Sequence, residues 1–454
     1  MLVIISDLHL TDGTSGTTVG EHAFKIFRNK LGDLAYEASW RRDGKYQPIE
    51  TLNILLLGDV LDIIRSSSWL TAPNGLRPWD DYSDDAYASM VKKINENILD
   101  HNKKSLDVLK SVSQGNRITL PPATSEGLPA DVAHHYDAQD RIPVDVNIYY
   151  MVGNHDWFYH LRGAKYNEIR QSVIDAMGLT QDSSQPFPHD PAESDELMRI
   201  FRDHKVFARH GDIFDPFNYE GDRDGSSLGD AIVVDLLNKF PDAVEHKFKG
   251  QLPDTVIRNI KEIDNVRPLP LIPVWIDVLL DNASIPKQLR KDIKKVWNEM
   301  ADEFLELPFV RERDRPWRMD EVDMLELGLK FTEHLSFDTI AKILAKIYKN
   351  SDPTDSYKEK AKSEHTLISK QADHIIYGHT HYPEIVPMDV FTNEQGILSN
   401  QLYFNSGTWR QIFRRTYASR GIKFIGYKVM SILSFYKEDE RKGRGFEVWN
   451  GSLE

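Results

Sequence analysis

Five short stretches of this chain carry carboxylates, imidazoles or both at spacings that suit metal chemistry: D-L-H at Asp7–His9, GDVLD at 58–62, GNHD at 153–156, HGD at 210–212 and GHTH at 378–381. In an extended backbone residues two apart point to the same side, so Asp7 with His9, and His379 with His381, can each converge on one small object. Mixed oxygen and nitrogen donors suit Mn, Fe or Zn better than Mg or Ca, which favour all-oxygen shells. Two cations set about 3.5–4 Å apart can clamp a phosphoryl group and orient a bridging hydroxide for in-line attack. Such a pair needs one carboxylate able to serve both ions, and Asp59 is suited to that. Glycines at 58, 153, 211 and 378 permit the tight turns that bring backbone close to such ions.

Each cluster ends a short apolar run that reads as a strand: LVIIS, NILLLGD, NIYYMVGNHD, KVFARHGD and HIIYGHTH, with LYFNSGTW following. Helical patterns lie between them, as at Asp84 to Val112 and over much of Leu236 to Lys349. Buried runs alternating with helices predict an α/β fold with a largely parallel inner sheet. Ligands gather at the carboxyl ends of strands in such sheets, and all five clusters sit there. The C-terminal GIKFIGYKVMSILSFY and GFEVWNG read as antiparallel strands. Surface loops are expected at Leu120 to Asp145, Gln181 to Glu196 and NSDPTDS near Asn350. From Pro216 to Lys370 strand signals stop and amphipathic helical patterns take over, which reads as a helical insertion in the core.

At 454 residues and 40% apolar content, with 20 Phe, 18 Tyr and 9 Trp, the chain can build a sizeable core. The absence of cysteine excludes disulfides, thiolate zinc sites and a cysteine nucleophile. The first strand begins at Leu2, and no apolar run approaches the roughly 18 residues that span a bilayer. A soluble, cytoplasmic protein is the expectation. A net charge of −14 argues against sequence-independent binding to duplex nucleic acid, which rests on Lys and Arg neutralising phosphates.

In order, D-x-H, GD-x-x-D, GNHD, H and GHTH resemble the motifs of the calcineurin-like metallophosphoesterase superfamily. The resemblance covers residues 1 to about 215 and resumes from about 371. It implies a four-layer α-β-β-α sandwich core, divided as 1–215 and 371–454, around a helical cap at 216–370. It further implies that Asp7, His9, Asp59 and His381 hold one divalent ion, Mn2+ before Fe or Zn. Asp59, Asn154, His210 and His379 would hold a second. His155 resembles the family's proton donor to the leaving oxygen and Asp62 the carboxylate that orients it, while Asp156 stands behind the ligands. HGDIFD, with GHTHYPEI and the later NSGTW, is similar to the branch containing UDP-2,3-diacylglucosamine pyrophosphatases. That branch commonly has Arg where this chain has His155, and its cap is shorter.

Outside the motifs, His134, His135, His160 and His204 read as solvated or structural. Arg65, Arg162, Arg410, Arg414 and Arg415 flank the motifs and could hold substrate phosphate, with a salt-bridging or solvated role for each an equally good account. Trp157 and Trp409 read as core. In KQLRKDIKKVW, Lys287, Arg290, Lys291, Lys294 and Lys295 share one helical face, and packing on neighbours is a better account than peripheral membrane contact. The expected activity is metal-dependent hydrolysis of a small phosphodiester or diphosphate. Protein phosphatases of the superfamily usually carry Arg where this chain has Ile63 and Asp156. A nuclease of the same superfamily is the alternative, and a scaffold without catalysis is a weaker one, since every expected ligand type is present.

Overall fold

The computed structural model describes residues 1–130, 140–313, 353–392, 396, 398–417 and 422–453. Its strands, in chain order, are β1 (Leu2–Ile5), β2 (Thr51–Leu57), β3 (Thr119–Leu120), β4 (Ile142–Pro143), β5 (Asp145–Met151) and β6 (Val206–Ala208). They continue with β7 (Val266–Arg267), β8 (His374–Tyr377), β9 (Glu384–Thr392), β10 (Leu398–Asn405), β11 (Gln411–Arg415), β12 (Phe424–Phe435) and β13 (Phe446–Ser452). The six motif-bearing runs all form strands, but they divide between two sheets. One sheet runs β5-β2-β1-β12-β11-β7, with β13 beside β12, and the other runs β6-β8-β10-β9. The largely parallel inner sheet expected from the runs is therefore corrected to two mixed sheets. In the first, β1, β2 and β5 are parallel and β12 is antiparallel to β1. In the second, β6, β8 and β10 are parallel and β9 closes the edge as a hairpin with β10.

The period of two explains why these runs are apolar throughout. Leu2 and Ile4, Leu55 and Leu57, and Tyr149 and Met151 share one buried cluster with Val206, Ile376 and Phe404 of the second sheet, so the two sheets face each other. The intervening residues Val3, Ile5, Ile54, Leu56 and Ile148 turn the other way, onto Phe24, Phe27 and Leu31 of helix α1 (Glu21–Ala38) and onto α2 (Asp85–His101), α3 (Lys103–Gln114) and α4 (Ala164–Met177). Helix α2 starts where Asp84 accepts a hydrogen bond from the Ala86 backbone N–H, a side-chain N-cap. On the far side of the second sheet, Phe207, Ile375, Tyr377 and Tyr403 are covered by Tyr357 and Ala361 of helix Pro353–Lys362 and by Leu367. That helix begins inside NSDPTDS, at a proline whose fixed φ suits a first turn, so the expected loop is helical from Pro353. Residues 350–352, like His134 and His135, lie outside the described residues.

Residues 215–313 are mostly helical and do not stand apart, whereas the rest of the expected helical stretch, 314–349, lies outside the described residues. Phe240, Trp275, Trp297 and Phe304 belong to the same buried cluster as Val3 and Phe24. A continuous helix from Leu228 to Lys247 carries a π-helical stretch at Val233–Asn238. The two-residue strand β7 pairs in parallel with β11, Val266 opposite Phe413, and so draws residues 262–267 against the core. In helix Lys287–Leu305, Ile293, Val296 and Trp297 are buried, while Lys294 and Arg290 pair with Asp277 and Asp281 of the preceding helix. That pairing matches the packed account of the basic face. Trp157 and Trp409 are buried as expected.

Candidate metal centre

The loops leaving β1, β2, β5, β6 and β8 bring all seven expected ligands to one place. Among the described residues, Asp7, His9, Asp59 and His381 form one group of converging ligand atoms, and Asp59, His210 and His379 form a second, each group spanning no more than 4.8 Å. Asp59 belongs to both. Asn154 completes the second group, its Oδ1 lying 2.9 Å from His379 Nδ1 and 3.3 Å from His210 Nε2.

The local backbone is unusual. Asp7, His9, Asp59, His379 and His381 all have positive φ, between 45° and 67°. Non-glycine residues in this region are strained, and such strain concentrates at functional sites. The turns also need glycine for close approach. A Cβ at Gly58 would lie 2.5 Å from His210 Nδ1, one at Gly378 would lie 2.6 Å from Asp7 Oδ2, and one at Gly153 would overlap the Asp59 carboxylate.

Hydrogen bonds fix the rings. His210 Nδ1 donates to the Leu57 carbonyl at 2.8 Å, which turns Nε2 toward Asp59 Oδ2 at 3.2 Å. Asp62 takes His9 Nδ1 on one oxygen at 2.9 Å and His155 Nδ1 on the other at 2.8 Å. His9 Nε2 consequently faces His381 Nε2, 2.9 Å away, and Asp59 Oδ2, 3.7 Å away. Asp156 accepts from the Val60 and Gly153 amides and from the Tyr150 hydroxyl, so it braces the loops behind the ligands.

The electrostatics follow from burial and neighbours. Burial raises the Asp7 carboxyl to about 6 and lowers the His9 imidazole to about 4. Burial also opposes charge on Asp59, but His210 and His155 outweigh it and hold that carboxyl well below the ordinary range. For His155 burial is outweighed by Asp62 and Asp59, and the imidazole is pushed up to about 10.

This donor set fits a cation. His9 presents a lone pair where Asp7 and Asp59 present carboxylate oxygens, so acceptors outnumber donors in a buried space. Such a concentration of acceptors requires protons or cations to be stable.

Sequence reasoning missed four supporting residues. Asp215 Oδ2 accepts from His379 Nε2 at 3.1 Å, leaving Nδ1 to face the centre. Asn218 holds the Asn154 amide through its Oδ1 at 3.1 Å and donates to Asp215 at 2.9 Å. Asp215 lies within the conspicuous HGDIFD, where the spacing from His210 was the available signal. Asp264 and Arg267 come from the helical segment, and no motif marks them. Among the flanking arginines, Arg65 and Arg410 are buried beside the site, whereas Arg162, Arg414 and Arg415 are exposed. His160 pairs with Asp224 and Glu193, and His204 is buried, so both are structural.

No helix among the described residues is long and apolar enough to cross a membrane. No protein-family model matches the chain, and no curated protein matches it. The chain is thus a mixed α/β protein carrying a buried cluster of Asp and His side chains able to hold metal.

Proposed function

We propose that this protein is a dinuclear metal-dependent phosphoester hydrolase, a phosphodiesterase or pyrophosphatase, built on a four-layer α-β-β-α core. The observation that carries the reading is the sharing of Asp59 between two ligand groups, with the Asp62–His155 pair directly beside them. Asp7, His9, Asp59 and His381 would hold one divalent ion, and Asp59, Asn154, His210 and His379 the other. Bound there, the ions supply Lewis acidity and neutralise charge on a phosphoryl group, and the mixed donor set favours Mn2+ over an all-oxygen-seeking ion.

The chain's own residues account for the remaining work. Asp62 fixes the His155 ring through Nδ1, which directs Nε2 away from the carboxylate as a proton donor for a leaving oxygen. Asp215 and Asn218 keep His379 and Asn154 in their ligand orientations. Burial of Asp7, His9, Asp59 and His210 excludes bulk water from the donor set.

The test is hydrolysis by the purified protein with Mn2+ of bis-nitrophenyl phosphate and of a panel of nucleotides, nucleotide sugars, oligonucleotides and lipid diphosphates. Asp59→Asn should lose most activity and most bound metal at both positions, since one carboxylate serves both. Full turnover by that variant with two metals per chain would refute the assignment.

A further inference from the structure

Beside the ligand cluster lies a second concentration of charge, built from both the core and the helical segment. Arg65 and Arg410 are buried, at 1% and 3% exposure, and half-buried Arg267 reaches in from β7. One buried carboxylate stands among them. Asp264 Oδ2 lies 3.1 Å from Arg65 Nη1 and 3.7 Å from Arg410 Nη1. Glu262 is engaged elsewhere, accepting from the Thr17 amide at 2.7 Å and from Asn265 Nδ2 at 2.5 Å. Asp62 is divided between His9 and His155, and Asp7 and Asp59 belong to the metal donor set. Three guanidinium groups therefore face one uncommitted carboxylate, and an excess of buried cation is costly without an anion.

Their hydrogen bonds are also incomplete. Arg410 Nε and Nη2 and Arg65 Nε are buried without a hydrogen-bond partner, while Arg65 Nη1 and Arg410 Nη1 have only the ion pairs with Asp264 Oδ2, made outside hydrogen-bond geometry. Arg65 Nη2 donates to the Lys261 carbonyl at 3.2 Å. The tips of both side chains converge on Gly16, where a Cβ would lie 2.8 Å from Arg65 Nη2 and 3.4 Å from Arg410 Nη2. Arg267 Nη2 donates to His381 Nδ1 at 3.0 Å, and the Arg65 amide donates to Asp62 Oδ1 at 3.1 Å, so the cluster adjoins the ligands directly. An imidazole that offers Nε2 to a cation carries its proton on Nδ1 and cannot accept there. Ligation by His381 would thus release Arg267 Nη2 as a further donor.

We infer that Arg65, Arg267 and Arg410 form a subsite for a second phosphoryl oxyanion next to the metal centre. Guanidinium forks match phosphoryl oxygens in geometry and charge. The role beside a reacting phosphoryl group rests on the hydrolase reading, whereas the oxyanion subsite itself stands on the arginines. The oxyanion is either carried by the substrate or is free phosphate.

Calorimetric titration of inorganic phosphate into the purified protein, with and without excess chelator, tests the subsite independently of activity. One phosphate-binding event should survive chelation, and Arg65→Gln and Arg410→Gln should each weaken it at least tenfold. Arg410→Lys keeps the charge but loses the fork, and it serves where the Gln variant does not fold. It should weaken binding less than Gln does. Phosphate binding that disappears with chelation, or variants that bind as the wild type does, would overturn the subsite even in a protein that hydrolyses phosphodiesters. Conversely, phosphate binding that depends on the arginines in a protein without hydrolytic activity would uphold the subsite and sink the hydrolase reading. Kinetics then separate the two sources. A substrate-borne second phosphoryl group predicts that Arg410→Gln raises KM for a nucleotide sugar at least tenfold more than for bis-nitrophenyl phosphate. Equal changes assign the subsite to free phosphate.

Discussion

His9 and His155 occupy the two oxygens of one carboxylate, Asp62, and what each ring's other nitrogen faces separates their roles. His9 Nε2 points into the donor set, while His155 is held only through Nδ1 and lies outside both groups that share Asp59. Removing His155 should then leave metal content intact. We expect His155→Ala to keep its metals by elemental analysis and to lose turnover by roughly 10²- to 10⁴-fold, the range of general acid–base help. The loss should shrink for nitrophenyl leaving groups, which depart with little protonation. An equal loss for good and poor leaving groups would take His155 out of the acid role. At this scale the ligand types were readable because each stands within a few residues of the end of an apolar run. Asp264 and Arg267 were not readable, because what brings them in is the pairing of β7 with β11, across more than a hundred residues of chain.

The elements do their positioning through turns that tolerate no side chain. Gly153 is the sharpest case, since a Cβ there meets both the Asp59 carboxylate and the His210 ring. Gly153→Ala should displace the shared ligand and lower metal content, and activity should fall with it, while the far-ultraviolet circular dichroism stays that of the wild type. Wild-type metal content in that variant would show that the loop has room to give. The strands themselves were legible, because Val, Ile and Leu runs closed by polar residues leave little ambiguity. Their division between two sheets was not legible in the runs themselves, and only the motif resemblance implied two β layers. β2 and β8 look alike as sequence, and only the alternation of Leu55 toward Ile376 and Leu56 toward α1 decides which faces meet. Helix Pro353–Lys362 was obscured by polar residues around its start, where the proline marks a first turn as readily as a loop.

At the scale of the whole molecule, acid should be the weak direction. His374 is buried among Phe404, Phe435 and Phe446, and His204 is buried at the end of its helix. Burial lowers their imidazoles to about 4 and about 3 from the usual 6.5. The unfolded chain therefore takes up these protons first. Their contribution to stability is complete above about pH 6.5 and is lost as pH falls toward 4, by about 3 kcal/mol or less for His374. His374→Phe should flatten the fall in thermal midpoint between pH 6.5 and 4. A pH profile unchanged from wild type would assign the acid sensitivity elsewhere.

The left-handed backbone at Asp7, His9, Asp59, His379 and His381 bears on how this protein would respond to selection. Each such residue costs roughly 1 kcal/mol relative to a relaxed conformation, and glycine would relieve it. A laboratory search that rewards heat resistance alone would find gains at these five positions as at the other left-handed residues, and each gain at these five would erase a ligand. Durability and chemistry compete here for the same peptide units, so a thermostabilised descendant is best sought by holding these five codons fixed.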